Sequence, residues 1–131
     1  MRMLLDLSER DFLYSNVVIA VSRDFYKRNS DTLEAFARGY LEGIAAAHEH
    51  KDKALKVIQK YTRLKDQKLI EELYNDSAKF LDRVPRLEPE AIAPIVEFMG
   101  KKPIAVETVG DNSIVDRLVR EGFVDKLYKK R

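Results

Sequence analysis

Residues 13 to 22 read LYSNVVIAVS, and this stretch carries the strongest strand signal in the chain. Four of its residues are β-branched: Val17, Val18, Ile19 and Val21. Branched side chains favour extended backbone, so the stretch predicts a β-strand over residues 13–22. Because the apolar run is continuous rather than alternating, we expect the strand to be covered on both faces, as in the interior of a parallel sheet.

Helical spacing replaces the strand pattern after Ser22. Apolar residues then recur at intervals of three and four, and capping residues stand before each group. The predicted starts are Ser22, Asp31, Asp52, Asp66, Pro89 and the run 111–113, with a final short amphipathic piece from Phe123. The sequence therefore predicts about six helices and a mostly α chain, roughly two-thirds helical against the usual third. A second, short extended piece is expected at residues 104–106.

Two of the predicted helices carry apolar residues that we expect to face inward. In the helix from Asp52 the stripe consists of Ala54, Leu55, Val57, Ile58 and Tyr61. In the helix from Asp66 it consists of Leu69, Ile70, Leu73, Tyr74, Ala78 and Leu81. The helix from Asp31 contains Gly39 and Gly43, and glycine is unfavourable inside a helix. Their spacing of four predicts that another backbone packs closely against this side of the helix.

The composition is that of a globular chain. Its 131 residues are 45% hydrophobic and 35% charged, with a net charge of +2 and no cysteine. The absence of cysteine excludes disulfides, thiolate metal sites and a cysteine nucleophile. The longest apolar run, residues 17–21, is far shorter than a membrane span, and residues 1–7 do not have the pattern of a signal peptide.

A single strand followed by helices is an unusual complete domain, because both strand edges keep unpaired backbone groups. We therefore expect residues 1–131 to form a single partial domain of a larger α/β protein. If no other strand is supplied, the strand is expected to pair with a second copy, giving a homodimer or a swapped assembly.

Three stretches resemble one protein family. They are VVIAVSRDFYKRNSDTLEAFARGYLEGI (17–44), AHEHKDKALKVIQKYTRLKD (47–66) and DNSIVDRLVREGF (111–123). In this order they resemble the C-terminal segment of substrate-binding proteins of ABC importers, in the nitrate, sulfonate, taurine and thiamine-precursor group. The resemblance covers about residues 12–125.

The resemblance implies the C-terminal portion of a two-lobed α/β fold of the type II periplasmic-binding-protein kind. It implies a non-enzymatic solute-binding protein that needs no cofactor and delivers a small ligand to an ABC permease. An intact relative would be extracytoplasmic, in the periplasm or at the cell surface, whereas this chain without a signal peptide could also be cytoplasmic. Compared with the family, this sequence lacks the core strands of the first lobe and the whole second lobe. The small-molecule ligand is therefore expected to bind only when the missing lobes are present.

Polar residues at the entry to the predicted strand are the candidate ligand-binding residues. They are Asp11, Tyr14, Ser15 and Asn16. Ligands of α/β proteins gather where the chain crosses over at the end of a sheet, which favours this position. The alternative is an ordinary strand entry with solvated polar side chains.

Catalytic and metal-binding patterns are not found. His48 and His50 are two residues apart and therefore point to different sides of a helix, so they do not form a metal pair. A polar helix end is the favoured interpretation. The chain has no glycine-rich phosphate loop, no G-x-S-x-G and no H-E-x-x-H. We therefore expect no catalytic residues, no metal and no enzymatic activity.

Charge is distributed unevenly along the chain. Residues 51–68 contain seven basic and two acidic residues, whereas residues 69–97 contain seven acidic and three basic ones. These patches support a second hypothesis, an independent helical domain that binds a protein partner through opposite charges. A nucleic-acid partner is not expected, because the net charge is near zero. In addition, Tyr61 falls in the apolar stripe rather than beside the basic side chains.

Overall fold

A computed structural model describes residues 18–100, 102 and 105–129, and 73% of these residues are helical. The helices of the described residues are α1 (Arg23–Arg28), α2 (Ser30–Glu49), α3 (Lys51–Thr62), α4 (Gln67–Phe80), α5 (Pro89–Phe98), α6 (Val106–Val109), α7 (Ser113–Arg120) and α8 (Phe123–Tyr128). The described residues contain no strand. The prediction of a mostly helical chain is therefore confirmed, and the predicted α/β class is not.

The predicted strand over 13–22 is wrong over residues 18–22. Residues 18–21 form no regular structure, and the side chains of Val18 and Ile19 are more than half exposed. Ser22 instead caps α1, its hydroxyl accepting a hydrogen bond from the Phe25 N–H at 3.1 Å. Strand propensity alone does not hold an extended segment that has no described strand to pair with. Residues 13–17 lie outside the described residues.

The C-terminal portion of a two-lobed α/β fold, expected from the resemblance, is likewise not shown. The described residues form a small all-helical arrangement instead. The extended piece expected at 104–106 is also corrected, because Val106 begins the short helix α6. Ile104 lies outside the described residues.

Most predicted helix starts are found within one residue. Asp66 caps α4 by accepting hydrogen bonds from the N–H groups of Lys68 and Leu69, at 2.9 and 3.3 Å. Pro89 is the first residue of α5, where its missing N–H costs no hydrogen bond. Pro94 lies inside α5, which continues to Phe98. Local capping chemistry therefore fixes helix boundaries even though the tertiary fold differs from the expectation.

The chain divides into two units. The larger unit comprises Ser22–Pro85 and Ser113–Arg131. In it, α2 packs against the α7–α8 pair through the fully buried Leu41 and Leu118, with Val124 beside them. The same helix α2 also contacts α3, which in turn packs against α4.

The smaller unit comprises Met1–Val21 and Arg86–Asn112, and its described part contains α5 and α6. The Asn112 side chain closes a loop there. Its Oδ1 accepts from the Leu87 N–H and its Nδ2 donates to the Leu87 carbonyl, both at 2.9 Å. An amide side chain is well suited to this pair of hydrogen bonds because it offers a donor and an acceptor together. Val96 of α5 is buried.

The expected close packing at Gly39 and Gly43 is wrong. A Cβ built at either position meets nothing within 4 Å, and both residues are exposed on α2. Neither residue has the positive φ that would require glycine. Their cost to helix stability is therefore not offset by any contact within the described residues.

We predict that Gly43→Ala stabilises the protein by about 0.5–1 kcal/mol, because alanine loses less backbone entropy in a helix. The free energy of unfolding in urea measures the change. Ala46→Gly, at an exposed position of the same helix, is the matched control and should destabilise by a similar amount. A loss of stability in Gly43→Ala would show that the glycine is needed for packing.

Candidate interaction site

The predicted ligand-binding residues cannot be placed in the fold. Asp11, Tyr14, Ser15 and Asn16 lie outside the described residues.

The two histidines are separated by the end of α2. His48 lies in its last turn, and the His48 Nε2 is 2.7 Å from the Leu81 carbonyl oxygen. Because a carbonyl only accepts, His48 Nε2 carries the proton and donates. His50 is exposed between α2 and α3. The His48 nitrogen that faces the α4 end is thus engaged in a structural hydrogen bond.

Tyr128 lies near His48 at the end of α8. Its ring centroid is 6.4 Å from that of His48, and the Arg83 guanidinium is 4.5 Å from the Tyr128 ring centroid. The hydroxyl is buried with no hydrogen-bond partner among the described residues. Burial raises the pKa of Tyr128 above its usual value, and Glu49 adds to the rise while Arg83 opposes it. The phenol therefore stays protonated and neutral at physiological pH.

A network of charged side chains joins α2 to α7 and to the turn that follows it. The Arg38 guanidinium donates to Glu34 at 2.7 Å and to Glu121 at 3.0 Å, and Arg117 donates to the other oxygen of Glu34. Arg38 also lies 4.7 Å from the Phe123 ring centroid. The hydrogen bond from Arg38, with smaller contributions from Arg117, holds the pKa of Glu34 below its usual value. All of these charges are mutually satisfied, so the network is structural rather than a binding site.

One side of α3 is exposed, basic and partly apolar. We call it the lysine face of α3, and it consists of Lys53, Lys56, Val57, Lys60 and Tyr61. These positions follow the spacing i, i+3, i+4, i+7 and i+8, which places them on one side of a helix. The three lysines make no ion pair with any described residue.

One side of α4 is exposed, acidic and more strongly apolar. We call it the acidic face of α4, and it consists of Leu69, Glu72, Leu73, Asp76 and Phe80. Phe80 is 64% exposed, whereas Ile70 on the inner side of the same helix is 1% exposed. Helix α4 therefore carries apolar residues on two sides, and only one of them is buried within the described chain.

The positions of Val57, Tyr61, Leu69 and Leu73 correct the predicted apolar stripes. All four were expected to face inward, and all four are exposed, Tyr61 by 76%. Adjacent residues of a helix are 100° apart, so Val57 and Ile58 cannot both lie at the centre of one buried stripe. The excess width of the stripes was the sequence signal for a second, outward-facing apolar side.

Two open grooves lie along α3. One, of about 330 Å³, is lined by Asp52, Leu55, Lys56, Gln59 and Gln67. The other, of about 280 Å³, is lined by Glu49, His50, Lys51, Asp52 and Lys53. Neither groove brings together a nucleophile, a base and an orienting group, so neither supports a catalytic reaction. The surface of α3 and α4 is better suited to a macromolecule than to an enclosed small molecule.

Comparisons with known proteins add no further assignment. A scan against protein-family models, a search of curated proteins and a search of solved structures each found no match. The resemblance to importer binding proteins therefore remains a prediction from the three sequence stretches. Within the described part of the chain, no helix has the length and apolarity needed to cross a bilayer.

The lowered pKa of Glu34 predicts a pH dependence of stability. Its ion pairs contribute above the unfolded-state value near 4.5 and are lost as the pH falls through the lower folded-state value. We expect Glu34→Gln to be less stable than the parent at neutral pH, and the difference to disappear on acidification through that range. Urea unfolding at a series of pH values measures it. Glu42→Gln, an exposed carboxylate on the same helix, should show no comparable difference; an equal loss there would contradict the assignment.

Proposed function

We propose that the larger unit is a helical protein-interaction domain that docks a partner protein on the outer faces of α3 and α4. The exposed apolar side of α4 is the observation that carries the proposal. Leu69, Leu73 and Phe80 recur on one side of the helix, next to the side that carries the buried Ile70. Scattered exposed apolar residues are ordinary, but a regular row on one side of a helix is characteristic of an interaction surface.

Part of the apolar surface of α4 is left unburied by the described chain. A large apolar side chain contributes about 1.5–3 kcal/mol when it passes from full exposure to full burial. Leu69, Leu73 and Phe80 keep from about a third to two-thirds of their surface exposed. A partner that covers the row would recover much of this free energy, while charges beside the row would select which partner fits.

The charges on the two faces support a protein partner. Unpaired lysines on α3 and carboxylates on α4 form separate patches of opposite sign, as the sequence hypothesis of a charge-patterned interaction domain requires. Each charge is solvent-exposed, so its contribution is mainly to orientation and to the rate of association.

The importer function predicted from the resemblance is not favoured by any contact in the structure. Its small-molecule ligand, its ABC permease, the absence of enzymatic activity and the extracytoplasmic location of a relative stay predictions. The dimer expected to form through the strand also stays a prediction. Its proposed pairing segment is not extended strand over 18–22, and residues 13–17 lie outside the described residues.

Photo-crosslinking in cells that produce the protein tests the interaction function. A photoreactive amino acid at Ser77, exposed and adjacent to the acidic face of α4, should give a discrete protein adduct that mass spectrometry identifies. The combined variant Leu69→Gln, Leu73→Gln and Phe80→Gln should remove the adduct while keeping its helices, because none of the three side chains belongs to the buried core. A photoreactive residue at Asn75, on another side of α4, is the control.

The interaction proposal would be contradicted by either of two results. One is the absence of any discrete adduct at Ser77. The other is an adduct that persists unchanged in the combined variant, since its formation would not depend on the apolar row. Circular dichroism of the variant establishes that the helices are retained.

A further inference from the structure

We propose that the partner is a second copy of this chain, docked so that the lysine face of α3 in one copy contacts the acidic face of α4 in the other. The inference rests on the proposed function and names its partner. It follows from the complementarity of two surfaces that belong to the same chain.

The two faces match in spacing. The lysine face has residues at i, i+3, i+4, i+7 and i+8, and the acidic face at i, i+3, i+4, i+7 and i+11. At a rise of 1.5 Å per residue they extend over about 12 Å and about 16 Å of helix. Two helices can therefore align these faces along a common length with each apolar row against the other.

The two faces also match in chemistry. Val57 and Tyr61 are the apolar residues of one face, and Leu69, Leu73 and Phe80 are those of the other. Lysines flank the first row, and Glu72 and Asp76 flank the second. Apolar burial would supply the attraction, and the opposite charges would set the register and exclude like-charged pairing.

Pairing of these faces within one chain is prevented by the hairpin that α3 and α4 form. The two helices pack against each other, and Lys51 of α3 lies 5.3 Å from the Tyr74 ring centroid of α4 across their contact. The lysine and acidic faces are on the exposed sides of the two helices, away from that contact. Their charges can therefore meet only between two molecules.

One carboxylate of the acidic face, Asp76, already forms an ion pair within its own chain. Asp76 lies 3.7 Å from Lys79, and both side chains are about 70% exposed. An exposed pair of this kind contributes little to stability and breaks readily. Asp76 therefore remains able to exchange Lys79 for a lysine of the second copy.

Reciprocal docking gives a closed pair. In a two-fold arrangement, α3 of each copy contacts α4 of the other, so the same contact forms twice. Exposed ionic contacts weaken as salt rises, because the Debye length falls from about 10 Å at 0.1 M to about 3 Å at 1 M. Self-association should accordingly be stronger at low salt.

Charge exchange between two variants tests the inference. The first variant carries Lys53→Glu, Lys56→Glu and Lys60→Glu, and the second carries Glu72→Lys and Asp76→Lys. Sedimentation equilibrium should show self-association of the parent and at least about tenfold weaker self-association of each variant alone, because like charges then face each other. An equimolar mixture of the two variants should recover association close to that of the parent.

Two controls separate the face from general charge effects. Glu42→Lys with Glu71→Lys makes the same change of net charge as the second variant, at exposed positions outside both faces. Its self-association should be as strong as that of the parent. If a charge-reversed variant loses helix by circular dichroism, Lys53→Gln, Lys56→Gln and Lys60→Gln replaces it. This neutral variant should weaken association and reduce its dependence on salt.

Several results would overturn the inference. A parent protein that stays monomeric, or a mixture that does not recover association, excludes the second copy as the partner. If the Ser77 adduct then contains a different protein, the interaction function stands and only the partner is wrong; with no adduct, both fall. A labelled single-stranded oligonucleotide bound by monomeric parent, and not by the first variant, would assign the lysine face to nucleic acid instead.

Discussion

The burial of Leu41 against Leu118 is the contact on which the larger unit depends. It joins residues that are far apart in sequence, on the long helix α2 and on α7, and Val124 of α8 completes the cluster. Closing so long a loop carries an entropic cost that only tertiary burial repays. The ion pairs between Glu34 and Arg117 and between Arg38 and Glu121 lie along the same contact between helices. They add orientation to a contact whose free energy comes mainly from apolar burial.

Because the core is centred on one side of α2, the α3–α4 hairpin lies outside that cluster. It is tied to α2 by two tertiary hydrogen bonds: Tyr74 donates to the Ala47 carbonyl at 3.1 Å, and His48 donates to the Leu81 carbonyl at 2.7 Å. These bonds fix the hairpin without covering its outer sides. A hairpin held on one side and open on the other is suited to present side chains to a partner.

The sequence predicted the helices well and their packing poorly, for a physical reason. Caps such as Ser22 and Asp66 act within three residues, so their hydrogen bonds can be inferred from local order alone. The strand over 13–22 needed a partner strand that local order cannot supply. The apolar stripes of α3 and α4 were identified correctly as amphipathic, but the spacing does not say which of two apolar sides is covered. Val57, Tyr61, Leu69 and Leu73 were therefore placed inside when they lie outside.

The same ambiguity explains why the interaction surface was predicted only in outline. Opposite charges in residues 51–68 and 69–97 were evident in the sequence, but a charge run can lie on any side of a helix. The structure adds that three lysines share one side of α3 and two carboxylates share one side of α4, each beside exposed apolar residues. The sequence pattern argues against nucleic acid in part because it places Tyr61 in a buried stripe. Its exposure removes that argument, and the choice of a protein partner now depends on the apolar row of α4, which a polyanion would leave uncovered.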